Sequence, residues 1–523
     1  MLKITLLFTF FLTPFVSLGQ MTYVVLDGEN NPNEPSVVIG PSGSISSLVA
    51  ASNINNLYYY DKAKWFKIMS TSPLGVYGDP VLHYSDSVLF FAHLSKTPDK
   101  EYGDWFDRIV VQKIHSISPW DETSYSIGYN NGKMQDKPWL SSDNHSQKFN
   151  GNVYVTWTEF DQYDSNDPEH KSRIRFSKYT PQKDSFSNAI TISDSTGNCT
   201  DGDSTLEGAT TAIGSYGEVY AVWAGHDKIW FDKSLDGGIS WGVDQVIANQ
   251  INGWDMDMPN INRANGMPFI QHDKEKGIIY VCWADEQNGN ADIWLIHSRD
   301  QGKTWSDRIR VNQDTTKSHQ YFPNMVIDEL TGIVYIAYYD FRSSPSNSFY
   351  NVYVNSYTLN GEIFEYKITK QPIALPGKDI FYGDYLDLDV QKATLAVVYT
   401  SYNLNNQSSI EMAYSKPFTK YMNQSNNTHK NTLGIQYNNQ KAKLICNTVH
   451  PYELTAKIIV TDPKAKAKQV FKFTDTYTDS EVNIDRVLGD ITLSETEYIS
   501  KICYKMKNMA TGKSKTRKYK LSY

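Results

Sequence analysis

One phrase, an alternating apolar strand that ends at a small or polar residue, recurs along most of the chain and restricts its possible folds more than any other feature. The copies are VLFFAHL (88–94), NVYVTWTE (152–159), EVYAVWAG (218–225), IIYVCWAD (278–285), IVYIAYYD (333–340), TLAVVYTS (394–401) and the fainter SLVAAS (47–52). Each copy follows a shorter apolar segment and precedes a second alternating strand. Period-two alternation is typical of strands, and units of about 45 to 70 residues have the size of four-stranded propeller blades. An aromatic content of 13% suits such strands. We therefore expect an all-β fold, a β-propeller.

The apolar segments that open the units set the number of blades. They are EPSVVI at 34, DPVLHY at 79, DKPWLS at 136, EGATTA at 207, DMPNIN at 257, HQYFPNM at 319 and GDYLDLDV at 383, which predicts seven blades. The last unit lacks an outer strand, whereas 22–26 (TYVVL) form an isolated strand. We expect this strand to complete the last blade, because a closed ring leaves no exposed sheet edge. Six blades are the alternative, if 34–75 are only an entry segment.

Both ends of the chain differ from the repeats. Residues 1–19 combine one Lys, an apolar run and small residues, as secretory signal peptides do, so we expect export to the cell surface or medium. The propeller would then occupy 20–416. Residues 417–435 are rich in Asn, Gln, Ser and Thr, as linkers are. Short strands in 436–523 predict a small C-terminal β-sandwich, which serves either stability or sorting and attachment to the cell envelope.

Charge and cysteine content exclude several classes of protein. A net charge of -8 argues against a nucleic-acid partner, which needs a basic surface. No apolar stretch after the first 19 residues is long enough to span a membrane. Four cysteines are too few for a disulfide scaffold, although Cys446 and Cys503 could pair. Cys282 fits a buried thiol and Cys199 lies in a polar loop, and the spacing of the cysteines matches no metal site.

Two segments share the pattern S-x-D-x-G-x-[ST]-W, each directly after an Ile-Trp strand. Their pattern residues are Ser234, Asp236, Gly238 and Trp241 in the first, and Ser298, Asp300, Gly302 and Trp305 in the second. Asp can cap a tight turn, Gly can take a positive φ, and Trp can pack between strands. The pattern resembles the Asp box, or BNR repeat, of the sialidase (neuraminidase) superfamily. The resemblance implies a propeller whose Asp boxes lie on third-to-fourth-strand turns, opposite the active site, so these residues receive no catalytic role.

The entrances of the innermost strands are where a propeller of this kind would carry its chemistry. They offer Glu34, Asp79, Asp136, Glu207, Asp257, the pair His319–Gln320, and Asp384 to one ring around the axis. Loops between second and third strands add His226, Asp285, Asp340 and Arg342. Crowded carboxylates raise one another's pKa, which predicts the acid and base of a glycosidase or a divalent-cation site such as Ca²⁺. The alternative is that the acids near Pro only cap strand starts.

The resemblance assigns further roles residue by residue. It implies Tyr382 or Tyr385 as nucleophile, Glu207 as its partner, Asp79 as acid, and Arg263 with Arg342 as two carboxylate-binding residues. No Arg precedes Arg108, so the early Arg of the sialidase triad has no counterpart, and strict sialidase activity is not expected.

Three functions remain open. The first is hydrolysis of extracellular glycans, with Asp79, Asp136, Glu207, Asp257, His319, Tyr321, Asp384 and Tyr385 as candidate catalytic residues. Arg263, Arg342, Asp285, Asp340 and His226 would bind the substrate. The second is a polysaccharide lyase that uses His226, His319, Tyr321 and Arg263 on a uronate. The third is a glycan- or protein-binding propeller without catalysis, which is favoured if His319, Tyr321, Arg263 and Arg342 do not converge around one cavity.

Overall fold

The structure, a computed structural model, describes residues 21–415 except 62, 98–105, 262, 330, 345–347, 359–360 and 393, and the backbone of seven strands between 432 and 520. The predicted signal peptide lies outside these residues, as does most of the predicted linker. The chain divides into two compact units, one of which is Met21–Lys416. No helix in the described part of the chain is long and apolar enough to cross a membrane.

The first unit consists of seven antiparallel sheets, each of which contains a path of four hydrogen-bonded strands. A lone strand, β1 (Met21–Asp27), precedes them. Blade 1 contains β2 (Ser36–Ile39), β3 (Leu48–Ser52), β4 (Asn56–Asp61) and β5 (Lys64–Met69), with a 3-10 turn at Ile45–Ser47. Blade 2 contains β6 (Val81–Ser85), β7 (Val88–Ser95), β8 (Arg108–Ser116) and β9 (Asp121–Ile127). Blade 3 contains β10 (Met134–Ser142), β11 (Val153–Phe160), β12 (Ser172–Thr180), β13 (Ser185–Phe186) and β14 (Ile190–Thr191).

The remaining four blades follow the same order. Blade 4 contains β15 (Glu207–Ile213), β16 (Val219–Gly225), β17 (Lys228–Ser234) and β18 (Gln245–Asn249). Blade 5 contains β19 (Phe269–Asp273), β20 (Ile278–Asp285), β21 (Asp292–Ser298) and β22 (Ile309–Arg310). Blade 6 contains β23 (Gln320–Asp328), β24 (Ile333–Asp340), β25 (Phe349–Tyr357), β26 (Ile363–Lys367) and β27 (Ile373–Ala374). Blade 7 contains β28 (Asp387–Gln391), β29 (Thr394–Tyr402) and β30 (Ser408–Ser415).

The first strand closes the ring. β1 pairs antiparallel with β30, from Met21 opposite Ser415 onward, and so supplies the outer strand of blade 7. Asp27 then joins blade 7 to blade 1, because its carboxylate accepts a hydrogen bond from Tyr58 Oη at 2.8 Å and pairs with Lys67 Nζ at 2.5 Å. Seven blades and their closure are confirmed, and the six-bladed alternative is wrong.

One predicted blade opening is wrong. The segment DMPNIN at 257 lies in the loop before blade 5, whose innermost strand begins only at Phe269. Asp257 is therefore exposed on that loop and does not stand at a strand entrance.

The two S-x-D-x-G-x-[ST]-W segments form the third-to-fourth-strand turns of blades 4 and 5. In the second turn Asp300 Oδ1 accepts hydrogen bonds from the backbone N–H of Lys303 at 3.1 Å and of Thr304 at 2.9 Å. Ser298 Oγ accepts one from Gly302 N at 2.9 Å. Ser234, Asp236, Gly238 and Ser240 repeat this network in blade 4. The hydrogen bond from Thr304 Oγ1 at 2.6 Å, followed by those from the backbone N–H of Thr304 and from Ser298 Oγ, favours the charged carboxylate and lowers the pKa of Asp300 to about 2.

Each motif Trp packs against the blade before its own. Trp241 meets Phe176 of β12 edge-to-face at 5.0 Å, and Trp305 meets Phe231 of β17 at 5.3 Å. The turns thus fasten blade 4 to blade 3 and blade 5 to blade 4, which is a structural role.

The innermost strands begin with a recurring backbone irregularity. In four blades the residue before a Pro takes a positive φ, namely Glu34 (48°), Asp79 (50°), Lys137 (49°) and Phe322 (50°). Such values are uncommon for residues other than Gly. These entrances meet at one end of the axis, which we call the upper face, and the motif turns lie on the lower face. Between them runs a channel of about 240 Å³, lined by the innermost strands of all seven blades.

The described strands beyond the propeller form two antiparallel sheets. One contains β31 (Thr432–Asn438), β32 (Lys441–Thr448) and β35 (Ile484–Thr492), and the other contains β33 (Tyr452–Asp462), β34 (Ala467–Thr476), β36 (Tyr498–Asn508) and β37 (Ser514–Lys520). Cys446 lies on β32 and Cys503 on β36, but their side chains, and hence their predicted pairing, lie outside the described residues. Cys199 and Cys282 are free and buried.

Candidate functional site

Carboxylates from five blade entrances meet at the upper end of the axis. They are Glu34, Asp79, Asp136, Glu207 and Asp384, and all are buried. Two cations, Lys137 and Arg263, and a sixth acid, Asp201, complete the group. We call these eight residues the axial cluster. None of them lines the central channel, so the cluster lies beyond its upper end.

Lys137 is the centre of the cluster. Its ammonium lies 2.7 Å from Asp384 Oδ2, 3.5 Å from Glu207 Oε1 and 3.9 Å from Asp136 Oδ2. Its backbone N–H donates to Asp136 Oδ1 at 2.9 Å and to Asp79 Oδ2 at 3.3 Å. One residue of blade 3 therefore holds carboxylates from blades 2, 3, 4 and 7.

Arg263 covers the cluster from the loop before blade 5. Its guanidinium donates to both carboxylate oxygens of Asp384, through Nε at 3.2 Å and through a shorter bond from the second terminal nitrogen. Its other terminal nitrogen donates to Asp201 Oδ2 at 2.5 Å and to Tyr163 Oη at 3.2 Å. The Arg263 side chain is 28% exposed, the most of any cluster residue for which an ion pair is found.

Asp201 and Glu34 anchor the sides of the cluster. Asp201 accepts hydrogen bonds from Tyr163 Oη at 2.5 Å and from Trp254 Nε1 at 2.9 Å. Glu34 accepts one from the backbone N–H of Asp384 at 3.0 Å and another from the Asn53 side chain. These hydrogen bonds hold the carboxylates of Asp201 and Glu34 in place through residues on loops of different blades.

The surroundings shift the pKa values of five of the acids, three upward and two downward. Burial, reinforced by neighbouring acids, raises the pKa of Asp79 and of Glu207 well above the usual range and that of Glu34 to about 7. Burial would also raise the pKa of Asp384 and of Asp201, but the positive charges of Arg263 and Lys137 outweigh it and lower both. The cluster therefore places carboxyls whose pKa is raised beside carboxylates whose pKa is lowered, the kind of pairing that acid–base catalysis uses.

Two polar groups near the cluster lack hydrogen bonds. Both carboxyl oxygens of Glu207 have no hydrogen-bond partner, the ammonium of Lys137 being in ion-pair contact only, and the residue is fully buried. The hydroxyl of Tyr385 is also unpartnered. Burial and the charges of Asp79 and Glu34 raise its pKa well above 10. Tyr385 thus remains a protonated phenol beside the acids.

Most of the other candidate residues lie outside this cluster. Tyr321 is fully buried between Phe341, with ring centroids 5.3 Å apart, and Tyr382, at 6.1 Å. His319 Nδ1 accepts the backbone N–H of Ala291 at 3.2 Å. His226 is partly exposed, with Nε2 3.1 Å from the carbonyl oxygen of Thr196.

The candidate substrate-binding residues of blades 5 and 6 form pairs within their own blades. Asp285 is fully buried and accepts hydrogen bonds from Trp283 Nε1 at 2.9 Å and Arg308 at 3.2 Å. Asp340 accepts Arg342 Nε at 2.7 Å, and Arg342 also pairs with Glu365. His319, Tyr321, Arg263 and Arg342 therefore do not converge.

Lys137 and Asp201 are the cluster residues that the sequence patterns did not indicate. The signal for Lys137 was the Pro that follows it, because Pro35, Pro80 and Pro138 mark equivalent entrances. Asp201 lies on a long polar loop without periodicity. Among the described residues no group of three or more His, Cys, Asp or Glu side chains is arranged to hold a metal ion.

Comparison with known proteins finds no matching family model and no matching curated protein. Among solved structures the chain is similar to the Trypanosoma rangeli sialidase, with 10% identity and a TM-score of 0.36 over 97% of this chain and 89% of that one. The Hadza microbial sialidase Hz136 gives 14% identity and a TM-score of 0.39 over 72% and 75%. A fungal alcohol oxidase of the AA5 family, in complex with copper, gives 10% identity and 0.40 over 97% and 100%. The seven sheets form a ring that the pairing of β1 with β30 closes, so this chain is a seven-bladed β-propeller. Sialidases are among the solved structures to which it is similar.

Proposed function

We propose that this protein is an exported, glycan-acting propeller that hydrolyses glycosidic bonds at the axial cluster. The observation that carries the proposal is that carboxyls from two neighbouring blades, those of Glu207 and Asp136, lie 3.5 and 3.9 Å from the same ammonium, that of Lys137. Burial raises the pKa of Glu207, as suits a proton donor. Glycoside hydrolysis requires one carboxyl that donates a proton and one carboxylate that accepts one.

Glu207 fits the acid. Burial raises the pKa of its carboxyl, and neither oxygen makes a hydrogen bond within the protein, so no protein group competes with a glycosidic oxygen for its proton. Asp136, on the neighbouring blade, fits the base that takes a proton from the attacking water. Water adds across the bond, with the hydroxyl on the anomeric carbon and the proton on the leaving oxygen. Lys137 and Arg263 keep Asp384 ionised and position the cluster.

The test is an assay of the mature full chain on a panel of glycans, with new reducing ends as the readout. Glu207→Gln and Asp136→Asn should each lower kcat by about 100-fold or more, since general acid–base catalysis contributes about 10² to 10⁴. Glu329→Gln is the control, because Glu329 is 64% exposed near the lower end of the channel and should act as wild type. Full activity in both cluster variants would contradict the assignment.

A recognition module without catalysis is the second candidate. It is favoured by the ion pairs of the cluster, since Lys137 and Arg263 already have acidic partners, and by the failure of His319, Tyr321 and Arg342 to converge. Glycan binding without release of reducing ends would select this function. The lyase alternative lacks support, because Tyr321 is enclosed by aromatic side chains and His226 contacts Thr196.

Export and surface attachment belong to the same proposal. The composition of 1–19 supports a cleaved signal peptide. Protein recovered from the medium or cell surface should begin at Gln20 in N-terminal sequencing. Deletion of 436–523 should release the propeller into the medium if this part attaches it to the cell envelope, and an unchanged location would contradict attachment.

A further inference from the structure

Phe381 is an exposed aromatic side chain beside the axial cluster. It is 48% exposed and lies three positions before Asp384. Its backbone carbonyl is fixed, since it accepts hydrogen bonds from Tyr402 Oη at 3.3 Å and Asn33 Nδ2 at 3.4 Å. The guanidinium of Arg263 lies 5.8 Å from its ring centroid. A solvent-exposed ring that is carried on a fixed backbone at the edge of a polar site offers an apolar face to a ligand.

The cluster has no spare positive charge for an acidic sugar. Arg263 donates to Asp384 and Asp201, and Lys137 contacts Asp384 at 2.7 Å. A carboxylate ligand would have to break these buried ion pairs and then face the remaining acids. Like charges placed together in a buried site are unfavourable.

Two hydrogen-bonding side chains at the cluster have no hydrogen-bond partner. Glu207 is fully buried with both carboxyl oxygens unbonded, and the Tyr385 hydroxyl, in a residue only 5% exposed, also lacks a partner. Buried polar groups without partners cost stability unless a ligand or water satisfies them. Sugar hydroxyls both donate and accept, so they can bond to a carboxyl and a phenol alike.

We propose that the axial cluster binds an uncharged glycan and that Phe381 is the stacking platform on which one of its pyranose rings lies. The proposal rests on the glycan-acting function proposed above and names its substrate class. Phe381 is a positioning residue, and Arg263 together with Lys137 excludes uronates and sialates by being already paired.

The experiment measures binding and cleavage by the mature full chain with glycans offered in matched pairs. Oligogalacturonides are paired with their methyl esters, and sialyllactose with its methyl ester, so that each pair differs in charge on a common skeleton. Neutral gluco-, manno- and N-acetylglucosamine oligomers complete the panel. We expect binding among neutral members only, with little dependence on salt because no ion pair forms with the ligand.

The variant Phe381→Ala tests the platform. It should weaken binding of the neutral glycan about tenfold, with a raised KM and a nearly unchanged kcat, as loss of one aromatic contact predicts. Tyr216→Ala is the matched control, since Tyr216 is an aromatic residue 79% exposed on the lower-face turn of blade 4. Unchanged binding in Phe381→Ala would overturn the platform.

The outcomes separate the two proposals. Preference for the acidic member of a pair would overturn the uncharged class and leave a glycan-acting protein. Absence of both binding and cleavage across the panel would overturn the glycan-acting function itself.

Discussion

Lys137 shows how one side chain can determine the electrostatics of a whole site. It is 5% exposed, and acids from three blades contact its ammonium. Burial alone would lower its pKa, but Asp384 and Asp136 outweigh burial and raise the pKa well above 10.5. The lysine therefore stays charged, and its removal would leave Asp384 with Arg263 as its remaining cationic partner among the described residues.

The first prediction concerns this lysine. Lys137→Met should lower the free energy of unfolding by about 3–5 kcal/mol, the cost of breaking a buried ion pair. Lys274→Met is the control, since the Lys274–Glu329 pair is partly exposed and should contribute about 0–1 kcal/mol. Urea unfolding of both variants measures the two losses in free energy of unfolding. Equal losses would show that the ion pairs of Lys137 stabilise the protein no more than a surface ion pair does.

The second prediction concerns Asp244, which faces Asp194 between blades 3 and 4. Each carboxylate accepts the other's backbone N–H, at 2.7 and 2.9 Å. Burial first, then the charges of Asp194 and Asp232, raise the pKa of Asp244 to about 7. An unfolded Asp titrates near 3.9, so between about pH 4 and 7 the folded state binds more protons, and stability falls as pH rises.

Asp244→Asn should therefore raise the melting temperature relative to wild type at pH 8 and change it little at pH 4. Thermal unfolding at both pH values measures this. Asp121→Asn, at an exposed position at the start of β9, serves as the control. A difference in melting temperature of the same size at both pH values would mean that the substitution does not act through the protonation of Asp244.

The residues of the cluster were partly predictable. Asp79, Asp136, Glu207 and Asp384 were expected in one ring because they precede innermost strands, and the structure brings them together. Their catalytic roles remain predictions. Lys137 was missed because the pattern placed the entrance at Asp136, one residue early, although Pro138 marks the strained position.

At the scale of elements, the recurring apolar runs predicted the second strand of every blade, because those strands are buried on both faces. Blade 5 was misread because DMPNIN carries the acid-and-Pro pattern of the other entrances, whereas the true strand, FIQHD, is short and ends in polar residues. The true strand lies further along the chain than DMPNIN because the loop before blade 5 is long, and periodicity does not encode loop length.

The third prediction uses the motif turns. Gly302 has φ +79°, and a Cβ there would lie 2.5 Å from the ring of Phe231. Gly302→Ala should lower the free energy of unfolding by about 2–4 kcal/mol, from backbone strain and overpacking together. Gly289→Ala has the same φ of +79° but nothing within 4 Å, so it should cost only about 1–2 kcal/mol. Equal losses by denaturant unfolding would show that the contact with blade 4 is not tight.

At the scale of the whole molecule, ring closure is the property most open to test. A chain that begins at Gly28 lacks β1 and leaves the edge of β30 unpaired. We expect a lower melting temperature and self-association in size-exclusion chromatography, because exposed strand edges pair with other chains. A chain that begins at Met21 is the control. Identical melting and a monomeric profile in both would show that the ring is held by the blades alone.

The pairing of β1 with β30 also sets an order of events during biosynthesis. Met21 leaves the ribosome before its partner Ser415, which is synthesised almost four hundred residues later. The nascent chain therefore carries an unpaired strand until blade 7 is complete. A chain that terminates before β30 cannot close the ring. Its unpaired β1 distinguishes it from the finished protein.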